Sequence, residues 1–309
     1  MRSESSMNIG QPSDQMSTAA INFVKTEWIG GILSGPLPDL FHYTNAEGLK
    51  GIVESQTLWA SHISFMNDPM EMKYAVNLCR KVLDESIGSS EDAVDELLRA
   101  TVNTGLDRIG DLLTGFVFCF CETDDLLSQW RGYGDKSSAF SIGIDVNALG
   151  IMTLARGDIR KVIYDVRQQE AMLKRLLSDW RDVLKLLVKD DLVDYGRLHS
   201  LNIGLTMAFA PVALSMKVPA FAEECEWRMI TIRMNTSELY STRLRDGKLV
   251  PYLEINEANS DGKLLNLPIK SLRVGPTSDV ERDLMAVRNL LHTNGIMVEP
   301  ITSEFQLKS

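Results

Sequence analysis

From about Gln168 to Met216 the chain carries two consecutive long stretches of helical apolar periodicity, with clusters of short strand-like runs before and after them. Leu173, Leu176, Leu177, Trp180, Leu184 and Leu187 mark the stripe of the first, over 168–189, and 192–216 forms the second. Runs at 116–121, 138–144 and 161–164 read as strands before this pair, and runs at 227–232, 250–255, 264–267, 269–274 and 296–298 after it. Further helices are predicted from Pro69 towards Leu83, from Ser89 towards Leu113 and from Thr277 towards Gly295. Because strands and helices cluster without regular alternation, the pattern predicts an α+β fold. Mixed or antiparallel central sheets would be surrounded by helices, with the pair at about 168–216 either inserted or part of the core.

A chain of 309 residues that is 44% hydrophobic can bury a substantial core, and the reading is a single domain over 21–309 after a polar, disordered leader over 1–20. The net charge of −10, without a block of Lys or Arg, argues against a broad nucleic-acid footprint while leaving room for a small basic pocket. No apolar window is long enough to span a membrane and no signal peptide is evident, so a cytoplasmic location without membrane partners is expected. Cys79, Cys119, Cys121 and Cys225 show no metal-ligand spacing. Cys119 and Cys121 alternate within the run 116–121, as one face of a buried strand does. No metal is expected.

Four clusters can carry chemistry. His42-Tyr43-Thr44 precedes a helix that Thr44 and Glu47 would open as a capping box, and its free amides suit an anionic group such as a diphosphate. Asn67, Asp68 and Glu71 surround Pro69 in a turn, either binding a ligand or capping the next helix. Trp130 and Tyr133 lie three apart on a short helix, able to stack on a planar base or to fill the core. Glu224, Glu226 and Arg228, read as the start of a strand, would share one face, as an ion-pair network or as a site that stabilises a developing cation. Gly-rich phosphate loops, nucleophile elbows and zinc-helix motifs are absent.

Phe41-His-Tyr-Thr44, Leu58-Trp-Ala-Ser61, Asn67-Asp-Pro-x-Glu71, Cys-Phe-Cys-Glu122 with 130–134, Phe140-Ser-Ile-Gly143, Glu224-x-Glu-Trp-Arg228 and 269–276 together resemble the bacterial DUF2971 family, a domain of unknown function. This resemblance covers roughly residues 40 to 300, departs at Cys121 where a Ser is expected, and implies no reaction. The segment from His42 to Leu58 also resembles the ADP-ribosyltransferase superfamily more remotely. That resemblance implies NAD as co-substrate, with His42 on the ribose, Tyr43 or Tyr133 stacked on nicotinamide, and Glu226, or else Glu224, as the catalytic carboxylate. The expectation is NAD-dependent ADP-ribosyl transfer or NAD cleavage, in phage defence or a stress response. His42, Glu224 and Glu226 would be catalytic; Tyr43, Thr44, Asn67, Asp68, Glu71, Trp130, Tyr133 and Arg228 would bind; the acceptor is unknown. The alternatives are a non-catalytic module that binds a nucleotide or small ligand, and a scaffold in which the charges are structural.

Overall fold

The computed structural model describes residues 37–66, 70–133, 138–148, 158–189, 194–235, 240–245, 247–256 and 265–305. Among them the strands form one 10-stranded, mostly antiparallel sheet. The predicted leader, and Asn67, Asp68 and Pro69, lie outside the described residues.

β3 (Leu113–Cys121) organises this sheet. Its alternation sends Phe116, Phe118 and Phe120 into one core with Leu49, Ile52 and Val53, and Val117 into another with Leu214 and Ile230. Along one edge β3 pairs over its full length with β6 (Glu226–Met234). The opposite edge is shared. β1 (Leu40–Asn45) meets β3 only at Phe41↔Cys121, and β2 (Leu58–His62) only at Ser61↔Val117 and His62↔Phe116. Both strands would claim the stretch of β3 between these contacts, so they part. β1 continues on β4 (Ala139–Ile144), and β2 on β8 (Lys248–Ile255), which pairs with the edge strand β7 (Ser241–Arg245). The sheet therefore splits beside residues 118–120, and α1 (Ala46–Ser55) joins the two diverging strands. Outside β4 lies β9 (Ile269–Val274), and the short parallel strand β10 (Ile301–Thr302) follows it.

The helices α2 (Glu71–Ile87), α3 (Ala93–Asp107), α6 (Val166–Lys189) and α7 (Tyr195–Leu214) pack together around Trp180, which is fully buried. Leu173, Leu176, Leu177, Leu184 and Leu187 all face this cluster, as the stripe predicts. Two short helices, α4 (Ile109–Leu112) and α5 (Leu127–Tyr133), flank β3. The helix α8 (Val280–Thr293) closes the opposite face through Val287 and Leu291.

Some predicted elements move. β5 (Asp158–Lys161) precedes the expected run at 161–164, where only an isolated bridge, Ile163↔Met216, follows. Residues 265–267 and 296–298 are not strands: Leu267, Ile296 and Val298 pack onto the core from irregular backbone. Thr44 caps no helix. β1 runs through Asn45, whose side chain accepts from the Gly48 amide at 2.9 Å and so starts α1 one residue later.

Just past β9, opposite the first residue of β4, a Cβ added to Gly275 would stand 2.8 Å from Trp130 Cε3 and 3.0 Å from the Ala139 carbonyl oxygen, and the latter is backbone that cannot yield. Gly275→Ala is expected to destabilise by about 1–3 kcal/mol. Gly110→Ala, whose Cβ meets nothing within 4 Å in α4, should be neutral or stabilising by about 0.5–1 kcal/mol. Urea unfolding of both variants checks the pair.

Candidate functional site

The split in the sheet leaves two adjoining cavities of about 160 and 210 Å³, with Tyr43, Met66, Cys119 and Gly132 in the walls of both. The first lies between the diverging strands and is lined by His42, Thr44, Asn45, Gly48, Trp59, Ser61, Phe118, Arg243 and Arg245. The second holds Glu71, Lys217, Glu224, Glu226 and Arg228 beside Phe41, Gln129 and Phe221.

His42 stands where β1 leaves β3. Its Nδ1 lies 2.8 Å from the Cys119 carbonyl oxygen, so the ring supplies the donor that a continued ladder would have given. It also stacks on Phe118 with centroids 4.1 Å apart. Burial pushes its pKa down to about 4; the Cys119 hydrogen bond opposes this and the Arg243 charge adds to it. At neutral pH the imidazole is therefore uncharged, Nδ1 carries the proton that Cys119 accepts, and Nε2 is left as an acceptor.

The second cavity is built on Arg228, which is 1% exposed. Nε and Nη2 donate to the Glu226 carboxylate at 2.9 Å each, Nη1 and Nη2 to Glu71 at 2.7 and 3.0 Å, and Nη1 also to the Leu214 carbonyl at 2.9 Å. These bonds use all the donors of the guanidinium. Lys217 Nζ lies among three carboxylates, 2.5 Å from Glu224, 3.3 Å from Glu226 and 3.4 Å from Glu71. Burial drives the Glu226 carboxyl upward, but the charge and hydrogen bonds of Arg228, with Lys217, outweigh it and hold the pKa at about 2. Glu224 differs. Its side chain keeps 29% exposure, and burial, reinforced by repulsion from Glu226, raises its pKa despite the Lys217 contact. Burial, with the Glu226 charge adding to it, drives the Cys119 pKa well above the ordinary thiol value, so the thiol stays protonated. Cys119 lines both cavities, with its carbonyl on His42.

Glu226 and Arg228 do share a strand face, as predicted, but Glu224 is not on that strand. It ends a 3-10 helix, Pro219–Glu224, and Cys225 follows in the left-handed region at φ 44°. The backbone bends there, and Glu224 reaches Lys217 from the rim while Glu226 sits on the floor.

Tyr43 is buried; its hydroxyl donates to the Thr123 carbonyl and accepts from the Leu126 amide, both at 2.8 Å, which pins the loop before α5. Trp130 is 3% exposed, edge-on to Tyr43 at 4.7 Å, with its indole N–H on Asp125 at 2.6 Å. Trp130 fills core and lines neither cavity, whereas Tyr43, though buried, reaches the walls of both. The side chain of Tyr133 lies outside the described residues. Glu71 takes the first turn of α2, as expected, and receives the fork of Arg228. Sequence reasoning missed Lys217, Arg243 and Arg245. Lys217 is separated from Glu224 by a 3-10 turn without apolar periodicity, and the two arginines lie on a short polar strand.

Two stability predictions follow from these charges. Arg228→Met removes one of the two cations that Glu71 and Glu226 share and the fork that satisfies them, and is expected to cost about 3–5 kcal/mol by denaturant unfolding. Because folding lowers the pKa of His42 from 6.5 to about 4, the unfolded chain takes up the proton first as pH falls through that window. Stability is then lost by up to about 3 kcal/mol, a slope that His42→Asn should flatten in unfolding curves taken at successive pH values. The Glu226 contribution has the same sign in a lower window: it is present above the ordinary carboxylate value of 4.5 and lost as pH falls towards 2.

Among the described residues, no helix is long and apolar enough to cross a membrane. No curated protein and no solved structure matches the chain. The motifs around His42 and at 269–276 lie outside the family match, which opens at Gln129-Trp130 and ends just past Glu226-Trp227-Arg228. Residues 129–229, about a third of the chain, match the family model described as "Protein of unknown function (DUF2971)".

Proposed function

We propose that this chain cleaves the nicotinamide glycosidic bond of NAD and transfers the ADP-ribosyl group to an acceptor or to water. The observation that carries this reading is Glu224, a partly exposed carboxylate at the rim of one cavity, beside a second cavity walled by neutral His42. Breaking the bond between ribose C1′ and the nicotinamide nitrogen sends the electron pair to the pyridinium ring, which leaves neutral, and builds positive charge on the ribose. A nearby carboxylate stabilises that charge. The acceptor oxygen or nitrogen then bonds to C1′ and gives up its proton. Glu224 serves as stabiliser and as proton acceptor, and its raised pKa suits the second task. Glu226, locked by Arg228, orients Lys217 and through it Glu224. His42 Nε2 accepts from a ribose hydroxyl.

The acceptor is a protein, a nucleic acid, a small molecule or water. A phage-defence or stress role in the cytoplasm suits an activity that consumes NAD. A second reading, a module that binds a nucleotide or small ligand unchanged, is favoured by the saturation of Arg228, which leaves the cavity floor complete without a substrate.

Nicotinamide release from NAD, measured with and without cell extract, tests the reading. Glu224→Gln is expected to lower release about 100-fold or more while leaving the unfolding temperature within a few degrees. Glu226→Gln should lose both activity and stability, because it opens the buried network. Unchanged release in Glu224→Gln would remove this carboxylate from the reaction. Absence of release under both conditions, with an unmodified nucleotide retained on the purified protein, would establish the second reading.

A further inference from the structure

We infer that Tyr164 is a positioning residue for Glu224: its hydroxyl takes the Glu226 amide where the strand ladder ends, and so holds the turn at Cys225 that sets Glu224 on the cavity rim. The inference rests on the reading above for what Glu224 does, and adds the side chain that keeps it there.

The backbone around this turn is held from two sides. Glu226 opens β6, and the N–H and C=O of a strand residue point to the same edge. Its carbonyl accepts from the Val162 amide at 2.9 Å, just past the end of β5. The chain then leaves β6 for the segment that follows α7. There the Ile163 amide donates to the Ser215 carbonyl at 2.8 Å, and the Ile163 carbonyl accepts from the Lys217 amide at 3.2 Å. With the neighbouring backbone turned away, the Glu226 amide needs another acceptor, and the Tyr164 hydroxyl oxygen meets it at 3.2 Å. On the opposite edge the Cys225 carbonyl accepts from the Glu122 amide, also at 3.2 Å. β3 and Tyr164 thus grip the left-handed residue between them.

The same short segment sets both neighbours of Glu224. Lys217, its partner at 2.5 Å, hangs from Ile163. Gln169 ties the two together, donating through Nε2 to the Ile163 carbonyl at 2.6 Å and to the Lys217 carbonyl at 2.9 Å. Glu226, two residues beyond Glu224, hangs from Val162 and Tyr164. Residues 162–164 therefore fix the spacing between the cation that Glu224 reaches and the strand from which it departs. Tyr164 remains a neutral phenol in this place: burial raises its pKa, and the Glu226 and Glu224 charges add to this against the Glu226 hydrogen bond and Lys217.

Carbon-13 NMR titration of the Glu224 carboxyl, run beside nicotinamide release, tests the inference with Tyr164→Phe, which removes the oxygen and keeps the ring. Lys217, Glu226 and Arg228 are the charges that act on Glu224, and the substitution alters none of them. Freed from the rim, Glu224 gains solvent, so its pKa should fall from its raised value towards 4.5, and the acid limb of the release profile should move to lower pH with it. kcat should drop about tenfold while the KM for NAD stays within about twofold. A Glu224 titration that does not move down, or a kcat equal to that of the unsubstituted chain, would overturn the inference. Should the variant not fold, amide hydrogen exchange of the unsubstituted chain decides: the Glu226 amide should be as protected as that of Trp227 in the ladder, and exchange at the rate of an open amide would overturn the assignment. A lowered titration in a chain that releases no nicotinamide would sink NAD cleavage and leave the positioning role standing. Release with an unmoved titration would do the reverse.

Discussion

One guanidinium ties the sheet to the helical layer. Arg228 leaves β6 and finds acceptors on its own strand, at the first turn of α2 and at the last turn of α7, so three elements distant in sequence converge on one side chain. A buried charge is tolerated only when its partners are complete, and here each donor has one. The position of Lys217 depends on the same convergence, since it follows α7 and points at the carboxylates that Arg228 has oriented. Three carboxylates and two cations leave the cluster one negative charge in excess, and the least buried of the five groups, Glu224, faces the cavity.

The split in the sheet has an equally simple origin. A strand has two edges, β6 occupies one of them fully, and β1 and β2 compete for the other. Opening the ladder strips backbone groups of their partners, and such groups must be satisfied in some other way. His42 does this for Cys119 with its ring, which fixes the imidazole tautomer as a by-product of closing the ladder.

Much of this architecture is legible in the chain. The stripe from Leu173 to Leu187 and the alternation of Phe116, Phe118 and Phe120 are strong because one face of each element is uniformly apolar. β7 gave no such signal: an edge strand with arginines on its inner face and an exposed leucine on its outer face reverses the usual pattern. The apolar residues at 265–267 and 296–298 misled for the opposite reason, since irregular backbone can bury Leu267, Ile296 and Val298 as well as a strand does. Arg228 as a charged strand residue could be read locally, whereas its pairing with Glu71, 157 positions away, is a product of topology. Glu224 lies off the strand that alternation predicts for it, because the backbone turns at Cys225.

That single left-handed residue changes what the spacing of the two glutamates means. In an unbroken strand, residues two apart stand at equal height and share one environment. With the chain turned at Cys225, the same spacing becomes a difference in depth: Glu226 is buried with its pKa held low by Arg228 and Lys217, whereas Glu224 keeps 29% exposure and its pKa is raised. Two identical side chains are thereby given opposite pKa shifts by the turn of one backbone residue.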